Sequence, residues 1–139
     1  MRDRTPLQSI ASVLGAAFLL VGVLGFIPGI TTHYGDLSFA GHGSRAKLLG
    51  LFQVSILHNV VHLLFGVVGI ALAKTADGAR SFLVGGGVVY LSLWLLGAIG
   101  AGGWIPVNSA DNWLHLALGL GMIAVGAVTT RGAARTGAA

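Results

Sequence analysis

Four apolar stretches, each long enough to cross a bilayer, take up most of this chain, and its charges lie between them or at the two ends. They fall at about residues 7–27, 56–73, 82–99 and 112–129. Only 9% of the 139 residues are charged, where a soluble domain carries roughly a quarter. Every backbone N–H and C=O in hydrocarbon must find a partner, so a spanning segment is a helix or part of a closed barrel. Barrel strands are about half this length and alternate in polarity. The reading is therefore an all-α, integral membrane four-helix bundle filling residues 1–139 as one unit, in contact with the lipid bilayer.

Positive charge orients such a bundle. Arg2, Arg4, Lys74, Arg80, Arg131 and Arg135 fall on one side of the four spans, and Arg45 and Lys47 on the other. The positive-inside rule then puts both ends in the cytoplasm of a cell whose plasma membrane the chain crosses, N-in and C-in. The loops at 31–47 and 100–111 face outward, with Trp104 and Trp113 at that boundary. The net charge of +4 does not point to nucleic acid, because the basic residues flank apolar runs and form no stripe. With no cysteine, thiolate sites and disulfides are excluded. Arg2 and Arg4 before an apolar run resemble a signal peptide, but the run is long and no Ala-x-Ala site follows, so the first helix is expected to be retained.

Two segments resemble each other. His58-Asn59-Val60-Val61-His62-Leu63-Leu64-Phe65-Gly66 overlays Asp111-Asn112-Trp113-Leu114-His115-Leu116-Ala117-Leu118-Gly119, and Phe26-Ile27-Pro28 overlays Trp104-Ile105-Pro106. The chain reads as two tandem helical hairpins, a parallel repeat about a pseudo-two-fold axis along the membrane normal. The overlay starts the second crossing near His58. Residues 46–57 are then an interfacial helix on the outer leaflet, or the first part of one long tilted helix. The 23 glycines suit close helix packing, within the chain or between copies in a homo-oligomer, and lack the setting of a phosphate loop.

The second and fourth spans carry the chemistry. His58 and His62 are four residues apart and share a helix face, as do Asp111 and His115. Three imidazoles and a carboxylate are a ligand set for zinc, iron or copper, with Asn59 and Asn112 placed to fix ring tautomers. Alternatively His62 and His115 alone, at equivalent positions on two helices, would be axial ligands to a non-covalent haem b, with Gly66 and Gly119 admitting the macrocycle. A structural reading stands beside both: Asp111 or Asn112 as a helix cap, His115 as an interhelical hydrogen bonder, and His58 at headgroup level. His33, Tyr34, Asp36 and His42 read as a solvated loop. Ser109, Asp111 and His115 spell a triad on paper, yet nothing supplies an oxyanion hole, so an enzyme is not the favoured reading.

The patterns HNVVHLLFGVVG and DNWLHLALGLG resemble a family of small four-helix membrane proteins from actinobacteria, catalogued as a domain of unknown function, family 4383. The resemblance covers nearly the whole chain. It implies a bacterial plasma-membrane location and four spans, and no activity. Three functions follow as expectations: a metal- or haem-binding membrane protein, a non-enzymatic structural or accessory subunit, and half of a dimeric transporter.

Overall fold

A computed structural model describes residues 3–101 and 103–136, and side chains as far as residue 128; Arg2 and the side chains of Arg131 and Arg135 lie outside the described residues. Four helices form the body: α1 (Pro6–Leu24), α2 (Ile56–Leu72), α3 (Ala76–Ala98) and α4 (Ser109–Thr136). Three of them, Pro6–Leu24, Ala76–Ala98 and Ser109–Val128, are long and apolar enough to cross a membrane, and α2 is a shorter apolar helix.

Local chemistry sets the helix ends. Thr5 caps α1 in a capping box with Gln8, Ser55 caps α2, and Thr75 caps α3. Gln8 also donates through Nε2 to the carbonyls of Ala73 and Lys74 at 3.1 and 2.9 Å, so the start of α1 closes the end of α2. Helix α3 begins at Ala76, several residues before the apolar run at 82–99, because Thr75 and Asp77 supply a polar helix start outside the hydrocarbon stretch.

The end of the bundle at which α2 and α4 begin carries a cap. Strands β1 (Thr31–Thr32), β2 (Lys47–Leu48) and β3 (Phe52–Gln53) form an antiparallel sheet in that order. Residues 46–55 are thus neither an interfacial helix nor part of α2, which starts at Ile56. Leu49 and Gly50 both adopt left-handed backbone (φ 55° and 70°), and Leu51 N donates to Leu48 O at 3.0 Å. Leu48 pairs with Phe52, so a three-residue loop, Leu49 to Leu51, folds the chain back into a hairpin. Burial there has period two, with Ala46 and Leu48 inside and Lys47 and Leu49 outside. Arg45-Ala46-Lys47-Leu48 carries that alternation in the sequence, and the apolar run from Leu48 to Phe52 hides its continuation.

α1 packs along α2 and α3 along α4, while contacts between the two hairpins are sparser and α1 barely meets α4. The two hairpins close through matching contacts. A Cβ on Gly15 would meet Ile70 N and Gly66 O, and one on Gly87 would meet Ile123 N and Gly119 O. Gly66 faces Leu19 and Gly15 just as Gly119 faces Leu91 and Gly87. Gly25 abuts the Asn59 amide, and Gly97 abuts that of Asn112. Under this correspondence Phe26 aligns with Ala98. The overlay of Phe26-Ile27-Pro28 on Trp104-Ile105-Pro106 is therefore out of register, and Trp104 lies beyond the end of α3.

These contacts also reassign the glycines. Gly15, Gly22, Gly66, Gly87 and Gly119 are each filled by the neighbouring helix of the same hairpin. Among the described helical glycines only Gly85 and Gly121 have open space beside them.

Gly66→Ala puts a methyl 2.7 Å from the backbone atoms Gly15 O and Leu19 N, so the helices must separate. We expect a loss of about 1–3 kcal/mol. Gly121→Ala, with nothing within 4 Å, is expected to be neutral or slightly stabilising. Thermal unfolding of both variants in one detergent checks the contrast.

Candidate functional site

His58 and His62 occupy the first two turns of α2, and Asp111 and His115 the first two turns of α4. Ser55 precedes α2 as its cap and accepts from His58 N at 3.1 Å. Asn108 plays that part for α4, its Oδ1 accepting from Asp111 N at 2.9 Å. His58 and Asp111 are thus each the third residue of their helices, which sets His62 and His115 one turn deeper at matching positions.

The imidazoles come together. His58 Nε2 and His62 Nε2 are 3.0 Å apart, with ring centroids at 4.3 Å. One Nε2 donates and the other accepts, so the two rings hold opposite tautomers. His115 lies 6.4 Å from His58 by centroids. The circuit closes through two residues that sequence reasoning missed. Phe18 of α1 lies 5.9 Å from His62, Tyr90 of α3 lies 5.3 Å from His115, and Phe18 and Tyr90 stack at 5.5 Å with an interplanar angle of 11°. Phe18 and Tyr90 correspond under the glycine register of α1 and α3, and that register was the available signal.

Asp111 lines the same cavity but is committed elsewhere. Its Oδ2 accepts from Gln53 N and from Asn108 N, each at 3.0 Å. Asn108 Nδ2 in turn donates to Leu51 O at 2.7 Å. Asn108 and Asp111 form a capping box that also clamps β3 to the head of α4. The helix cap is Asn108, rather than Asp111 or Asn112, because the helix starts at Ser109. Among the described residues no group of three or more His, Cys, Asp or Glu side chains is placed to hold a metal ion as it stands.

Asn59 and Asn112 do not orient the histidines. Their amides fill the gaps left by Gly25 and Gly97 on the facing helices. Asn59 is fully buried. Gly66 and Gly119, expected to admit a macrocycle, are occupied by α1 and α3. His58 stands against both His62 and His115, at ring-centroid distances of 4.3 and 6.4 Å. His33, Asp36, His42, Arg45 and Lys47 are exposed in the cap, away from the cluster.

The three Nδ1 atoms of His58, His62 and His115 are buried without a hydrogen-bond partner. Beside the rings lies a cavity of about 260 Å³, bounded by α1 and α4 and roofed by the β2–β3 hairpin. An imidazole cluster with unpartnered nitrogens, in a largely apolar setting, can accept a cation or a hydrogen-bonding guest.

Residues 8–128 match a family model described as "Domain of unknown function (DUF4383)". No curated protein and no solved structure matches the chain.

Asp111→Ala leaves the Gln53 and Asn108 N–H groups without their acceptor. We expect a loss of about 2 kcal/mol in thermal unfolding, and a smaller loss for Asp111→Asn, which keeps one carbonyl oxygen.

Proposed function

Starting from membership of the DUF4383 family, to which this chain belongs, we propose that the protein is a multi-pass plasma-membrane protein that holds a divalent transition-metal ion on histidines inside its bundle. The observation that carries this reading is the 3.0 Å separation of His58 Nε2 and His62 Nε2. Two imidazole nitrogens at about 2.1 Å from one ion and 3.0 Å from each other subtend about 90°. Tetrahedral coordination would need them about 3.4 Å apart. Small ring rotations reach either separation, and Cu(II) and Ni(II), which imidazole binds tightly among the divalent ions, are the ions to test. His115 is the third imidazole within reach after side-chain rotation, and the Asp111 carboxylate in the cavity wall supplies negative charge beside the ion.

The same 3.0 Å also describes a neutral hydrogen bond between two histidines with a structural role only. Metal content separates the two. We expect the purified protein, loaded with Cu(II) or Ni(II) and freed of excess ion, to retain about one equivalent by elemental analysis. His62→Ala and His58→Ala should lose it, while His33→Ala in the exposed loop should keep it. A wild-type protein that retains neither ion would sink the metal reading and leave the hydrogen bond as the role of the pair.

The matched glycine, asparagine and ring contacts support descent of the two hairpins from one duplicated hairpin. The membrane reading rests on the apolar helices and the six-to-two distribution of basic residues. At 17 residues α2 spans about 26 Å, slightly short of the usual hydrocarbon thickness, and calls for local thinning. Exposed Trp104 and Trp113 suit the outer interface. Single cysteines at Asp36 and Asn108 should label with an impermeant reagent on intact cells. A cysteine at Asp77 should not, and its labelling from outside would overturn the orientation.

A further inference from the structure

The cavity beside the histidines has a wall made almost wholly of carbon. Leu14, Ala17 and Val21 line it from α1, Leu114 and Leu118 from α4, and Phe18 and Tyr90 form its inner end. It lies between α1 and α4, which barely touch, and its lining includes Leu49 of the cap, which is held in left-handed backbone and is 68% exposed.

We propose that this cavity takes the alkyl chain of a membrane lipid, which enters sideways between α1 and α4 and ends against the Phe18–Tyr90 stack. The proposal rests on the membrane reading above and is independent of the metal. Water is a poor occupant, because it needs two to four polar partners and the wall offers almost none. A dry apolar cavity of about 150 Å³ already binds benzene, so about 260 Å³ has room for a stretch of alkyl chain. The driving force is dispersion. In a bilayer, lipid and side chains are equally apolar, but an unfilled space forfeits contacts on all its walls. The surrounding solvent at this depth is itself alkyl chain.

Both a phospholipid tail and a free fatty acid carry that chemistry. The test uses vesicles containing either phosphatidylcholine with a diazirine in mid-chain or a diazirine fatty acid, with cross-linked residues mapped by mass spectrometry. Phe18 and Tyr90 are 5% and 3% exposed, so label on them reports a chain inside the cavity and not lipid around the bundle. Val13 and Leu120, exposed on outer faces, report surrounding lipid. We expect label on Phe18 or Tyr90 together with Val13 and Leu120. Deep label from the phosphatidylcholine arm identifies a phospholipid tail, and deep label from the fatty-acid arm alone identifies a free acid. Ala17→Phe, or Leu118→Trp if the first does not insert, should cut deep label at least fivefold and leave Val13 and Leu120 labelled. Treatment with a chelator, which strips any metal from the histidines, should leave deep label in place. Label confined to Val13 and Leu120 in both arms overturns the proposal. Loss of label at those two positions as well overturns the membrane reading on which it rests.

Discussion

The bundle depends on backbone meeting backbone through glycine, Gly15 against Gly66 in one hairpin and Gly87 against Gly119 in the other. Lipid does not drive apolar helices together, so contact must come from close approach and dense packing. Tight closure within each hairpin turns small residues toward the partner helix and leaves bulky ones for the face between hairpins. Phe18, Phe65, Phe82 and Tyr90 meet there, with centroid separations from 5.0 to 6.4 Å. That aromatic layer joins α1 to α3 and α2 to α3, and it leaves α1 and α4 apart. The cavity and the histidine cluster occupy the space this arrangement creates.

Polar side chains are scarce in this chain, and most of those inside are committed to backbone ends. Thr5, Ser55, Thr75 and Asn108 start the four helices, and Gln8 closes the end of α2. Asp111, the one buried carboxylate among the described residues, joins a helix start to a strand of the cap. The histidines keep one buried ring nitrogen each without a partner, as Asn59 and Asn112 keep amide atoms. An unpartnered buried polar atom is disfavoured by about 1–3 kcal/mol, and three in one cluster call for a functional account.

The helices, their number and the shared faces of the histidine pairs were legible, because apolar length and four-residue spacing are properties of a single segment. His58 and Asp111 each stand three residues past a capping side chain, Ser55 and Asn108. The hairpin at 46–55 was not legible. Its apolar residues look alike whether they face a helix, a sheet or lipid, and Leu49 gives no hint of a left-handed turn. Nor did spacing reveal that Asn59 fills the gap at Gly25 rather than serving His62. The nearest polar neighbour along a helix is visible in a sequence, and the facing residue on another helix is not.

By itself, then, the sequence determined the class of the protein. Backbone groups cannot stay unpaired in hydrocarbon, so four long apolar runs imply helices, and capping residues mark where they begin. It also determined that His58 lies beside His62. Tertiary structure decided the rest of the site: that His115 joins them, that Phe18 and Tyr90 close the circuit, and that Asp111 is held by Gln53 and Asn108. Those contacts depend on how each helix is rotated against its neighbours, and that rotation is chosen by glycine and aromatic packing summed over whole helix faces, which no local spacing encodes.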